Sequence, residues 1–259
     1  MAVANLKIMI MNTNGRTEHR TIADERKQVI CDVVKETGAA LYLFQEFIWQ
    51  DIRGNAWKGE YELPPQLVQI KNNKEACILF DKDEVTVENV PSINDIIQRS
   101  TLDRMCIRKV KTKRDPIFEF ICISWHGRST ESVKQLIEDF EDMLKDISKL
   151  SEKLSLPVLL AGDFNLKTKD IETPLSSSSL VLHKYEPAKR RKSENIIDFF
   201  ISSQSLEMSG TKALTLESLT KVAEVLKLFD HDPVVSFMST KPENKDSSIL
   251  ILSTMSLSS

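Results

Sequence analysis

Leu159-Leu160-Ala161-Gly162-Asp163-Phe164-Asn165 is an apolar run that ends in an acid and an amide two positions apart. Runs of this length and composition predict a buried strand. Residues two apart on a strand face the same side. Asp163 and Asn165 can therefore enter one site while Phe164 packs behind them. Read alone, Gly-Asp-Phe-Asn is also a tight turn; the apolar run in front of it favours a strand that delivers polar groups to a cleft.

The same arrangement recurs along the chain. Leu6–Asn12 (LKIMIMN), Leu41–Glu46 (LYLFQE), Phe120–Gly127 (FICISWHG), Ile196–Phe200 (IIDFF) and Phe229–Val234 (FDHDPV) each join an apolar run to a polar group. The ends carry Asn12, Glu46, His126, Asp163 with Asn165, Asp198, and Asp230 with His231. No single motif is decisive; together they predict one divalent-metal hydrolase site.

Between these ends the pattern predicts a strand–helix–strand unit over Leu6–Phe44, with an amphipathic helix at Thr21–Thr37 stopped by Gly38. A meander follows at Leu67–Ile70, Ala76–Phe80, Val85–Val90 and Met105–Val110. A strand is predicted at Ile117–Trp125, a long helix at Ser129–Leu150 with one apolar face, and strands at Pro157–Ala161, Ile196–Ser202 and Val234–Met238. Ala213–Leu228 reads as helix or as loop with helix. The serine run in Leu175–Leu180 reads as loose. One domain over 1–239 and a disordered Ser/Lys-rich tail over 240–259 are expected. No internal repeat is visible.

At 259 residues, 41% hydrophobic and 28% charged, the composition suits a soluble globular protein. A net charge of −3 excludes a non-specific nucleic-acid coat protein, not a nucleic-acid enzyme with a local basic rim. Cys31, Cys77, Cys106 and Cys122 form no Cys-x-x-Cys pair and lack zinc-ligand spacing. The N-terminus does not read as a secretory leader, and no run approaches the roughly 20 apolar residues of a spanning helix. An intracellular protein, cytoplasmic or nuclear, without membrane attachment, is expected.

In order and company the motifs resemble those of the endonuclease/exonuclease/phosphatase superfamily, which includes deoxyribonuclease I and exonuclease III. The resemblance covers Leu6 to about Met238 and rests above all on Gly162–Asn165 combined with Asp230–Val234. It implies an α+β fold: a four-layer α/β/β/α sandwich of two mostly antiparallel sheets flanked by helices, with the site at one edge. Met11 stands where the family often has Trp, Phe229 where it often has Ser, and no substrate-binding Tyr is obvious.

The resemblance implies roles. Glu46 would bind Mg²⁺ (or Mn²⁺), consistent with the preference of a hard ion for one or two carboxylates plus water. Asn12 would bring its amide oxygen near the metal, and Asp230 would approach it. Asp163 would prepare the attacking water, Asn165 would hold a phosphate oxygen, and His231 would contact the scissile phosphate or carry a proton. Asp198 lies amid Ile196, Ile197, Phe199 and Phe200, where an unpartnered acid is costly to bury; it is expected to orient His231. His126 would act near the leaving group, with Glu75 as the acid that orients it. Arg104 is a candidate substrate contact, as is the basic segment with Lys189, Arg190, Arg191 and Lys192; that segment also reads as a solvated loop or a localisation patch.

The expected function is Mg²⁺-dependent phosphodiester hydrolysis by in-line attack of water on DNA or RNA. The expected partner is a nucleic acid bound by a monomer, with the tail's partner left open. The same superfamily resemblance leaves inositol-phosphate, tyrosyl-phosphodiester and deadenylase activities as alternatives, together with a catalytically weak interaction module.

Overall fold

A computed structural model describes residues 5–15, 19–49, 51–57, 59–71, 75–186 and 196–241. The segment holding Lys189–Lys192 and the tail beyond residue 241 lie outside these residues, so the expectations for them carry no structural statement here.

The described strands form two six-stranded sheets. The first contains β1 (Leu6–Asn12), β2 (Leu41–Gln45), β3 (Leu67–Lys71), β4 (Ala76–Asp81), β11 (Leu206–Ala213) and β12 (Val234–Thr240), in the order β11-β12-β1-β2-β4-β3. The second contains β5 (Val85–Glu88), β6 (Met105–Thr112), β7 (Glu119–His126), β8 (Val158–Asp163), β9 (Leu180–His183) and β10 (Asp198–Ser203), in the order β5-β6-β7-β8-β10-β9. Only β1–β2 and β7–β8 pair in parallel. Each parallel pair is joined by a long helix, as a parallel crossover requires: α1 (Arg20–Thr37) and α3 (Val133–Leu154). The two sheets therefore share one topology, a hairpin, a crossover pair and a second hairpin, entered at different points. Sequence shows no repeat, but the topology repeats.

Strand parity explains the layers. In β1, Leu6, Ile8 and Ile10 pack between the sheets, while Met9 and Met11 face the outer core under α1. In β8, Leu159 and Ala161 face the other sheet, while Val158 and Leu160 face α3. The layers are helix, sheet, sheet, helix, as the α+β reading expected.

Several elements escaped sequence reading. α4 (Thr168–Ser176) contains Pro174, and its last turn and β9 border the serine run read as loose. β11 is a polar edge strand with Gly210 inside it, which hides its alternation. In Ala213–Leu228 only a 3-10 turn at Leu216–Ser218 and the one-turn α5 (Val225–Leu228) are helical. A further one-turn helix, α2 (Arg99–Leu102), precedes β6. The strand ends that position the site fall within a residue or two of their expected places.

Phe164 is the packing residue between Asp163 and Asn165. Its ring stacks on Phe199 at 4.0 Å between centroids and meets Phe140 edge-on at 5.8 Å. Phe164→Ala should cost about 3–5 kcal/mol, the usual loss for a buried aromatic. Urea unfolding measures it, and a loss below about 1 kcal/mol would remove Phe164 from the core that holds this turn.

Candidate active site

The inter-sheet layer turns polar at one edge, and parity decides which residues stand there. Asn12 continues the inward row of Leu6, Ile8 and Ile10. By the same alternation His126 continues Phe120 and Cys122, Asp163 continues Leu159 and Ala161, and Asp198 precedes Phe200. All four are buried. Glu46 follows Phe44, which faces the outer core, so continued pleating would turn it away. Instead Glu46 adopts φ +52°, a left-handed conformation unusual for Glu, and its carboxylate reaches back to Asn12 and His126.

Asn12 joins the two halves. Its Nδ2 donates to Asp163 Oδ2 at 3.0 Å and lies 3.5 Å from Glu46 Oε1. Its Oδ1 accepts the backbone N–H of Asn14 at 3.0 Å. The sequence reading gave the amide oxygen to a metal; in the structure the nitrogen faces the carboxylates and the oxygen faces Asn14. Asn14, next to Gly15, has turn composition. It also donates through Nδ2 to Asp230 Oδ1, and its carbonyl accepts from Arg26, whose Nε donates to Leu228 O at 3.1 Å. No sequence signal singled out Arg26: it is one polar residue of an amphipathic helix.

One half of the site is built on His126. Its Nδ1 bonds Glu75 Oε2 at 2.8 Å, and its Nε2 lies 3.5 Å from Glu46 Oε1. Glu75 also pairs with Arg104 Nη1 at 3.1 Å. Arg104 donates in addition to the carbonyls of His126 at 2.8 Å and Gly127 at 2.6 Å. Its guanidinium is thus taken up in bracing the His126 turn, where the sequence reading had it at the substrate. Asn165, at φ +52°, donates from Nδ2 to Gly127 O at 3.0 Å, and its N–H bonds Asp163 Oδ1 at 2.9 Å.

The other half is built on His231. Its Nδ1 bonds Asp198 Oδ2 at 2.7 Å, and Nε2 points towards Asp163 Oδ2 at 3.7 Å and Asp230 Oδ1 at 3.8 Å. The Asp198 carbonyl accepts from Tyr185 Oη at 2.6 Å. Burial opposes charge on the His231 ring, but Asp198, Asp163 and Asp230 outweigh it and raise its pKa from 6.5 to about 9. Burial and the nearby Asp198 push Asp163 above the usual carboxylate range, against the pull of His231, His126 and Asn12.

Atoms of Asp163, Asp198 and His231 lie within 4.8 Å of one another. With Nδ1 engaged by Asp198, this group is better described as a His–Asp pair facing an acid than as three ligands of one ion. A hard divalent cation suits the wider set. Five carboxylates, Glu46, Glu75, Asp163, Asp198 and Asp230, face two imidazoles and Arg104, and buried Asp198 Oδ1 has no hydrogen-bond partner among the described residues. Glu46 and Asp230 are the open members, with side chains 24% and 74% exposed, so an ion there could keep several waters. The residues fit a bound Mg²⁺.

No family model matches the sequence, and neither does any curated protein. Solved structures do. An endonuclease/exonuclease/phosphatase family protein from Bacteroides thetaiotaomicron superposes with a TM-score of 0.71 at 19% identity, covering 94% of this chain and 98% of that one. A mannosyl-6-phosphatase from the same species gives 0.68 at 20% identity, covering 90% and 99%. The endonuclease domain of TRAS1, a telomere-specific non-LTR retrotransposon, gives 0.58 at 13% identity, covering 92% and 100%. This chain has the endonuclease/exonuclease/phosphatase fold.

The raised His231 pKa has a stability consequence. A group whose pKa rises on folding contributes fully below its unfolded value, here 6.5, and loses that contribution as pH rises towards about 9. Metal-free protein should therefore weaken across this window. Asp198→Asn removes the first of the attractions and should flatten the slope. Urea midpoints measured across the window test this; equal slopes in the two proteins would mean that Asp198 does not hold the ring charged.

Proposed function

We propose that this chain is a member of the endonuclease/exonuclease/phosphatase superfamily and a Mg²⁺-dependent phosphodiester hydrolase acting on DNA or RNA. The observation that carries the reading is the meeting of Asn12, Glu46, His126, Asp163, Asp198, Asp230 and His231 at one edge of the two sheets. Each comes from a different stretch of chain, apart from the adjacent Asp230 and His231.

Mg²⁺ held by Glu46 and Asp230 would supply charge neutralisation on the phosphate oxygens. Asp163 is the base: buried and crowded by Asp198, it has a carboxylate of raised pKa that takes a proton from water more readily than an exposed acid does. His231 is charged at neutral pH and presents Nε2 beside Asp163, where it stabilises negative charge growing on phosphorus. Asp198 keeps Nδ1 protonated and the ring oriented. His126, on the far side of Asn12, is held by Glu75 and Arg104 and serves the leaving oxygen. Two imidazoles flanking one acid suit a substrate whose leaving group is an alkoxide. Water is the nucleophile, so no Ser or Cys is needed.

The likeness to a mannosyl-6-phosphatase favours a second reading, a phosphomonoesterase using the same machinery on a small sugar phosphate. Charge outside the scissile phosphate separates the two. A polynucleotide would contact Lys189, Arg190, Arg191 and Lys192, and changing these four to Ala should raise KM and flatten the salt dependence with little effect on kcat. A small phosphomonoester would be indifferent to the change.

The test is hydrolysis of labelled DNA and RNA oligonucleotides and of sugar phosphates with Mg²⁺. Asp163→Asn should lower kcat by about 10²-fold or more through loss of the base. Glu46→Gln should weaken Mg²⁺ binding in calorimetry while the fold is kept. Turnover unaffected by Asp163→Asn would remove Asp163 from the role of base, and no hydrolysis of any of these substrates by the wild type would remove the hydrolase reading. Activity on sugar phosphates alone would replace the nuclease with the phosphatase.

A further inference from the structure

Directly beneath the site, the inter-sheet layer holds one polar pair that no step above uses. Gln45 ends β2, and its Nε2 crosses to the other sheet, donating to Ser124 Oγ on β7 at 3.0 Å and to its own sheet's Leu43 O at 3.0 Å. Ser124 Oγ in turn donates to Phe44 O at 3.3 Å. Both side chains are fully buried. The approach depends on Gly162 in β8. A Cβ there would lie 2.9 Å from Gln45 Nε2 and 2.0 Å from Trp125 O, and the residue has φ +147°. Gln45 Oε1 has no hydrogen-bond partner among the described residues.

A pair like this is a poor way to glue two sheets. Replacing both partners of a buried hydrogen bond by apolar groups of similar shape is often neutral or stabilising, and the unpartnered Oε1 makes the polar version worse still. Its neighbours suggest a different purpose. Gln45 precedes Glu46, lies opposite Asn12 in the β1–β2 register, and accepts at its carbonyl both the N–H and the Oγ1 of Thr13 at 2.9 Å. Ser124 is two residues before His126 on the same face, and Gly162 precedes Asp163. The bond therefore joins β2 to β7, against the bare backbone of Gly162 in β8, at the last rung before the catalytic ends of all three strands.

We propose that Gln45 is a positioning residue: its bond to Ser124 sets the gap between the sheet edge that carries Asn12 and Glu46 and the edge that carries His126 and Asp163. Hydrogen-bond direction and length specify that gap more sharply than apolar packing, which tolerates sliding. The proposal rests on the hydrolase reading above.

Gln45→Met keeps length and volume and removes the bond; Ser124→Ala removes it from the other side with Gln45 in place. Three readouts are taken on the full chain: Tm, Mg²⁺ affinity by calorimetry, and kcat with KM on the best phosphoester substrate. In Gln45→Met, where Ser124 Oγ keeps its bond to Phe44 O, Tm should be unchanged or raised; in Ser124→Ala, which leaves one buried Gln45 N–H without its partner, Tm should fall modestly. The kcat should fall about 10–100-fold, as for a displacement approaching 1 Å. Mg²⁺ affinity should fall several-fold and KM should change little. A kcat and Mg²⁺ affinity within about twofold of wild type in both variants, or a Tm of Gln45→Met that falls in step with its activity, would make the pair merely structural. A crystal structure of Gln45→Met supplies a readout independent of catalysis. The separation of Glu46 Oε1 and His126 Nε2 should widen from its 3.5 Å; an unchanged separation overturns the proposal even if wild type hydrolyses nothing, whereas an inactive wild type with a widened variant overturns only the hydrolase reading.

Discussion

The structure depends on two sheets buried on both faces. Because each central strand must be apolar on its outer side against helices and on its inner side against the other sheet, a polar side chain within it is expensive. Inside the strands it is met by pairing, as Ser236 pairs with Thr211 and Gln45 with Ser124, and at the strand ends the inner face meets solvent. Two-residue alternation then decides which end residues point inward. Asn12, Gln45, Ser124, His126, Asp163 and Asp198 all share the inward parity of Ile10, Leu43, Cys122, Ala161 and Phe200. The site is the point at which the inter-sheet core runs out of apolar residues.

That placement creates the electrostatics. Burial, then repulsion from Asp198, raises the Asp163 carboxyl, while attraction to Asp198, Asp163 and Asp230 holds the His231 ring charged against its own burial. Each acid is answered by a specific donor: Asn12 for Asp163, His231 for Asp198, and His126 with Arg104 for Glu75. Asn14 answers Asp230, Glu46 has only looser contacts, and these two acids are the most exposed, so the residual negative charge is concentrated where a cation can reach it.

Much of this was legible in sequence because parity and burial leave a pattern. Six apolar runs with polar ends gave the strands, and a lone Asp among Ile196, Ile197, Phe199 and Phe200 announced its need of a partner. The hidden features obey different rules. β9 is four residues long, and the helix before it contains a proline, so neither shows a full period. Arg26 acts through its reach to the carbonyls of Asn14 and Leu228, more than 200 residues apart in the latter case, and nothing in its helical neighbourhood distinguishes it from any exposed Arg. The left-handed backbone at Glu46 is likewise invisible, since Glu carries no preference for it; simple alternation would have sent its carboxylate to the wrong face.

The repeated topology explains why strand ends from both sheets meet at one edge. In the first sheet the crossover pair β1–α1–β2 delivers Asn12 and Glu46; in the second the equivalent pair β7–α3–β8 delivers His126 and Asp163. Facing the sheets inner side to inner side brings the four strand ends to the same edge. Asp198 enters from the hairpin strand beside β8, while Asp230 and His231 enter from the approach to β12, the hairpin strand beside β1. No residue of the site is repeated between the sheets: Asn12 ends β1 where His126 ends the equivalent β7, and Glu46 follows β2 where Asp163 ends the equivalent β8, while across the gap Asn12 bonds Asp163 and Glu46 faces His126. A shared backbone plan with unshared side chains suits the proposed hydrolysis, in which the attacking water and the leaving oxygen would lie on opposite sides of one phosphorus and need different partners.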